Sequence, residues 1–158
     1  MWYKRGLLTR ILETTVTDLS TLTLEGLADT FALFDDWEDR YRYLIDLGRS
    51  LPEFPEAART EAAKVQGCMS QVWLVPVVQP GPPKRLHFLI DSDAHIVRGL
   101  AAVMVVLFSG KTPQEILAVD PDQALQTLGL ESHISPNRRN GVASMAQVIK
   151  KAAQAALA

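Results

Sequence analysis

Cys68-Met69-Ser70-Gln71-Val72-Trp73-Leu74-Val75-Pro76-Val77-Val78 is the stretch that decides the fold, because here the apolar period changes to two. Ser70, Val72 and Leu74 share a face with Cys68, and Met69, Gln71, Trp73 and Val75 take the other. This predicts a strand from Cys68 to about Val78. Gln79-Pro80-Gly81-Pro82-Pro83 predicts a turn, since proline cannot donate to a ladder. A second strand follows, with Leu86, Phe88 and Ile90 inward and Arg85 and a solvated His87 outward. Asp91-Ser92-Asp93 reads as another turn, and Ala94 to Val97 as a short third strand. The order is that of an antiparallel meander.

Helical patterns flank the meander. Leu24, Leu27, Ala28, Phe31 and Phe34 predict a helix over 23–34. A second begins near Asp35 or Asp36, with acids in its first turn and Trp37, Tyr41, Leu44 and Ile45 on its buried face. Gly48 and Pro52 are expected to stop it. A shorter helix is expected from Pro55 to about Lys64. After the meander, Arg98 to Phe108 is apolar nearly all round and predicts a central helix on the sheet. Thr112-Pro113-Gln114-Glu115 has the form of a capping box with proline at the first position. Asp120-Pro121-Asp122-Gln123 repeats that start, and Gly129 closes the short helix. Ser135-Pro136 opens a last helix striped by Val142, Met145, Val148, Ile149 and Ala152.

The bulk numbers limit the function. A chain of 158 residues fits one domain, here 23–158, preceded by an N-terminal extension, 1–22. Residues 1–10 are basic and apolar, as in a transit peptide, but lack the features of a secretory signal. The net charge is -2, from 16 basic and 18 acidic residues, which gives no basic surplus for nucleic acid. The apolar run Leu100 to Phe108 is too short for a membrane. One cysteine in 158 residues fits a reducing compartment, the cytoplasm.

That cysteine, Cys68, can form no internal disulfide and no multi-cysteine metal site. Its bland reading is a small buried hydrophobe. Gly67 before it permits a tight backbone turn, and the junction of loop and strand can present a side chain to a partner. A reactive thiol must ionise, which cations or a helix N-terminus promote. The start Ser135-Pro136-Asn137-Arg138-Arg139 would supply both if it lies close. A Cys/His hydrolase would need His87, His95 or His133 beside Cys68. Asp91 and Asp93 are too few for a metal site. A cluster scaffold would need several thiolate or imidazole ligands.

Several ordered motifs resemble one family. They are Trp37-Glu38-Asp39-Arg40-Tyr41 with Leu44-Ile45-Asp46-Leu47-Gly48 and Leu51-Pro52; Val65-Gln66-Gly67-Cys68-Met69-Ser70-Gln71-Val72-Trp73; Asp91-Ser92-Asp93-Ala94-His95-Ile96-Val97-Arg98-Gly99-Leu100; Gly110-Lys111-Thr112-Pro113; Leu128-Gly129-Leu130; and His133-Ile134-Ser135-Pro136-Asn137-Arg138. Together they resemble the SufE family of sulfur-acceptor proteins of iron-sulfur cluster assembly, over roughly 24–151. Met69 departs from the family's usual glutamine, His95 from a small or apolar residue, and Arg139 from a common serine.

The resemblance implies an α/β (α+β) fold of the SufE/IscU type: a small two-layer sandwich, with a three-stranded antiparallel sheet covered by helices. It implies a persulfide carrier and desulfurase activator rather than an independent enzyme. Cys68 would accept sulfur from a SufS-like, PLP-dependent cysteine desulfurase and pass it to a SufB-like cluster scaffold. The PLP belongs to that partner, and no cofactor or metal is implied for this chain. Gln66, Gly67, Met69 and Ser70 would form the sulfur loop, and Asp93, Arg98 and Arg138 would be partner contacts or loop latches. A homodimer is compatible with the resemblance, and neither nucleic acid nor membrane enters it. Delivery to another thiolation or cofactor pathway is the alternative.

A lone thiol suits this chemistry, because a second would attack the persulfide and discharge it. Protecting the sulfur calls for an apolar pocket, whereas reaction calls for ionisation. The expectation is a loop with two states, tucked when free and extended when docked, hinged at Gly67.

Overall fold

A computed structural model describes residues 19–157. Its sheet is a single antiparallel hairpin, β1 (Val72–Gln79) and β2 (Arg85–Ser92), in a register that pairs Val72 with Ser92 and Gln79 with Arg85. The expected third strand is absent among the described residues, where two isolated bridges flank the hairpin instead. Lys64 bridges to Trp73 on one side and Leu86 to Lys111 on the other.

The sheet has two apolar faces. Val72, Leu74, Leu86, Phe88 and Ile90 enter the main core, and Val75, Val77 and Leu89 meet Phe54 in a smaller cluster. Strict alternation produces this division, since neighbours in a strand point to opposite sides.

Helix α1 (Leu24–Ala32) begins at Thr23, whose hydroxyl accepts from the Gly26 amide. Helix α2 (Trp37–Arg49) begins at Asp36, whose carboxylate accepts from the Asp39 amide. Gly48 does not end α2 but lies inside it, buried. A Cβ on Gly48 would come within 2.7 Å of the Gly99 amide nitrogen, so the glycine serves a helix crossing.

The crossing partner is α3 (His95–Phe108), the central helix, with eleven buried residues. It starts three residues earlier than the apolar run suggests. Ala94 to Val97 is therefore a helix start, not a strand, because Ile96 and Val97 are buried in the core. Asp91 and Ser92 likewise belong to β2 rather than to a turn.

Two short helices follow, α4 (Pro113–Ala118) and α5 (Pro121–Thr127). The capping box at Thr112 and Glu115 is formed in both directions. The last helix, α6 (Pro136–Leu157), buries Val142, Met145 and Ile149, with Val148 and Ala152 packed beside them.

The helix expected from Pro55 to Lys64 is absent. A 3-10 turn, Glu56–Ala58, is followed by turns up to the Lys64 bridge. Arg59 organises this segment. Its guanidinium lies 5.3 Å from the Phe54 ring and 5.0 Å from the Trp73 ring, and pairs with Asp91 at 2.6 Å. These are tertiary contacts, which helical periodicity cannot reveal.

Of the expected N-terminal extension, residues 1–18 lie outside the described residues. Leu19–Thr21 forms a 3-10 turn with Leu19 buried in the core.

Candidate functional site

Cys68 stands on a short loop just before β1, which starts at Val72 and not at the cysteine. The loop is closed at its base by the Val65 amide donating to the Val72 carbonyl at 2.8 Å. A second tie lies on its β1 side. The Asp93 carboxylate accepts from the Gln71 amide at 3.1 Å, and the Asp93 amide donates to the Gln71 carbonyl. Between these ties Gly67 turns the backbone at φ +88°, a conformation that costs an L residue about 1–2 kcal/mol.

Helix α6 seats the loop. The Cys68 Sγ lies 3.9 Å from the Gly141 carbonyl oxygen, the long contact of a weak S–H donor. A Cβ on Gly141 would stand 3.6 Å from the sulfur, and one on Gly67 would meet the Ser144 hydroxyl at 2.8 Å. The thiol faces a cavity of about 370 Å³. Val97, Leu100 and Met145 supply its apolar wall, Ser135, Asn137 and Arg138 a polar side, and Met69 and Ser70 the loop's own part.

Burial pushes the Cys68 thiol above its ordinary pKa. No nearby cation offsets that shift, although Arg138 lines the cavity. The thiol sits beside the second turn of α6 rather than at its N-terminus, so the expected help from a helix start is not realised in this conformation. Tucked in, the sulfur is mainly neutral and a poor nucleophile.

Arg138 is held by its own neighbours. Its guanidinium lies 5.9 Å above the Tyr41 ring. Tyr41 meets Trp37 edge-on at 6.0 Å, and Trp37 stacks on His133 at 4.3 Å. This row joins α2 to the start of α6 and sets one rim of the cavity. Trp37 and Tyr41 read in sequence only as a buried helix face.

The other expected site residues divide. Gln66, Gly67 and Met69 are exposed on the loop, and Asp93 ties down its β1 side. Arg98 lies apart from the cavity lining. Its Nε is 3.2 Å from Asp91 Oδ1, near enough to pair but too far off line to hydrogen-bond. Asp91 thus joins two arginines, 59 and 98, a role no local pattern announces.

None of the histidines lines the cavity. His133 stacks on Trp37 and His95 is exposed. His87 is half-buried rather than solvated; it bonds Gln79 at 2.7 Å, and burial lowers its pKa. The hydrolase arrangement is therefore not present.

One isolated thiol, on a glycine-turned loop over a recess with an apolar wall in a small α+β domain, fits the class of proteins that work through a single sulfur. Comparison with known proteins narrows the class. A family model described as SufE, Fe-S metabolism associated domain, matches residues 25–153. The chain belongs to the SufE family. It is 48% identical over 136 residues to an uncharacterised SufE-like protein of Rhizobium meliloti (strain 1021), covering 85% of this chain and 97% of the relative. It is 39% identical over 131 residues to the sulfur acceptor protein CsdE of Escherichia coli (strain K12), covering 82% and 87%. A solution structure of a hypothetical protein from Thermus thermophilus shares the fold, with a TM-score of 0.69 at 20% identity over 85% of this chain and 95% of that one. No helix among the described residues is long and apolar enough to cross a membrane.

Proposed function

We propose that this chain is a sulfur acceptor that takes sulfane sulfur from a PLP-dependent cysteine desulfurase, stimulates that enzyme, and carries the sulfur as a Cys68 persulfide to an iron-sulfur cluster scaffold. One observation carries the reading: the chain's only thiol stands on a loop over a cavity of about 370 Å³ with one apolar wall, far more room than a thiol fills. Family membership and the sulfur acceptor CsdE support it.

The transfer step is an exchange at sulfur. The Cys68 thiolate attacks the terminal sulfur of the donor's persulfide. A new S–S bond forms on Cys68, the donor's S–S bond breaks, and the donor cysteine leaves as a thiolate. The proton lost by Cys68 passes to solvent, and no electrons are gained or lost overall. The PLP remains with the donor, which generates the persulfide there.

Tucking serves storage and untucking serves reaction. In the seat on α6 the sulfur is half-buried and mainly neutral. To attack a donor it must leave this cavity, with Gly67 as the hinge and the Val65–Val72 and Asp93–Gln71 ties as the fixed ends. Hydrogen exchange across residues 64–71 should rise on docking to the desulfurase, and unchanged exchange would count against the two-state loop.

The carrier reading itself is tested by intact mass. Incubation with a cysteine desulfurase, cysteine and PLP should add about 32 Da, one sulfur, to the wild type and nothing to Cys68→Ala. A wild type that never gains sulfur would sink the proposal.

A further inference from the structure

We propose that Met69 selects the sulfur donor, seating its thioether in an apolar recess beside the donor's persulfide. The inference rests on the sulfur-acceptor reading and adds a specificity residue to it.

Met69 is 82% exposed. Among the described residues, the other exposed large hydrophobics are Leu33, at the end of α1, and Leu157, at the end of α6. Met69 alone of these lies at the rim of the Cys68 cavity. Its Cα is about 3.8 Å from that of Cys68, so a protein that docks around the sulfur comes close to Met69 too.

The side chain also has the right surroundings. Gln66 and Gln71 on the same loop are exposed and polar. An apolar anchor in a polar rim is the common arrangement of an interface hot spot. While Cys68 faces α6, the Met69 side chain is open to an approaching protein. Methionine suits a tip that must move, since its unbranched, polarisable chain adapts to irregular recesses. The partner this fits is a protein whose persulfide lies beside aliphatic or aromatic side chains, not one with a charged rim.

The test separates docking from chemistry. Met69→Gln keeps the chain length and replaces the thioether with an amide. Sulfur loading is measured with two donors, a cysteine desulfurase with cysteine and inorganic polysulfide, which needs no docking. With the desulfurase, the acceptor concentration giving half-maximal rate should rise roughly tenfold, the size expected for losing one buried methionine. The maximal rate should stay within about twofold, and Met69→Leu should restore tight use of the donor, as a volume-conserving swap. Loading by polysulfide should change far less than loading by the desulfurase. An unchanged half-maximal concentration in Met69→Gln would overturn the proposal. So would an equal fall with polysulfide, because Met69 would then act on the thiol itself. A wild type loaded by polysulfide but by no desulfurase would overturn the donor assignment, and this proposal with it. A wild type loaded normally by the desulfurase, with Met69→Gln indifferent, would overturn only the role of Met69.

Discussion

Glycines let backbones approach at two places, with opposite results. Where α2 crosses α3, Gly48 and Gly99 bring the helices into backbone contact. A Cβ on Gly99 would stand 2.4 Å from the Leu44 carbonyl oxygen, and one on Gly48 2.7 Å from the Gly99 amide nitrogen. Where the Cys68 loop meets α6, the same residue type leaves slack. A Cβ on Gly67 would meet only the Ser144 hydroxyl, and one on Gly141 would touch the Cys68 sulfur at ordinary distance, beside an open cavity. The first contact fixes the fold because neither backbone can yield. The second holds a loop that can leave, because its neighbours are side-chain atoms and space.

Gly99→Ala should break the crossing and give the largest effect. The methyl group has no flexible neighbour to displace, so α2 and α3 must separate along their length. A loss of about 3 kcal/mol is expected in urea denaturation, at the upper end of overpacking costs. Sulfur loading should fall as well, because α3 supplies Val97 and Leu100 to the Cys68 cavity and α2 supplies the Tyr41 and Trp37 row at its rim. A loss below about 1 kcal/mol would show that this crossing is looser than its distances indicate.

Gly67→Ala should act on the loop and leave the frame. At φ +88° an alanine is strained by about 1–2 kcal/mol, and the Ser144 hydroxyl can rotate away from the new methyl. That strain belongs to the tucked conformation, so it favours release. Alkylation of Cys68 should speed up roughly tenfold at neutral pH, since about 1.4 kcal/mol is a factor of ten. The pH dependence gives a second readout. Burial raises the wild-type thiol pKa, so its alkylation rate should climb with pH to a midpoint above that of a free cysteine. In Gly67→Ala the midpoint should move down toward the ordinary value, because an untucked thiol is solvated. Equal rates and equal midpoints would mean that Gly67 is not the hinge.

What could be read locally was legible in the sequence, and what depends on distant partners was not. The cap at Thr112 and Glu115 lies within four residues, and its pattern alone predicts it. The antiparallel pairing of β1 with β2 follows from alternation and a proline-rich turn, although β1 starts at Val72 rather than Cys68. Ala94 to Val97 misleads, because Ala94 offers no capping oxygen and Ile96 and Val97 are β-branched. Only the core they fill makes them helical. Asp91 misleads in the same way. An aspartate beside a serine and another aspartate reads as a turn, yet Arg59 and Arg98 hold it in a strand. At the site, a segment ending in a loop-to-strand junction was legible because it is contiguous, although the strand begins at Val72 and not at Cys68. The cavity was not, since it joins 97 and 100 to 135–145 across the fold. Gly48 shows the same limit: a glycine near a helix end reads as a stop, and only the neighbouring helix shows it to be a crossing point.

Gly141→Ala should give the smallest effect and the sharpest view of the loose contact. Two terms favour the variant. Alanine in a helix interior is more stable than glycine by roughly 0.5–1 kcal/mol, and α6 is continuous through residue 141. The new methyl would stand 3.6 Å from the Cys68 sulfur, a van der Waals contact that adds apolar surface to the seat. Stability should therefore rise by about 0.5 kcal/mol or more, and Cys68 should alkylate more slowly than in the wild type. The same change should hinder loading, because a persulfide places a second sulfur where the methyl narrows the cavity. Slower alkylation with unimpaired loading would mean that the carried sulfur points away from α6. Faster alkylation would mean that the methyl expels the thiol, and that the seat has less slack than 3.6 Å suggests.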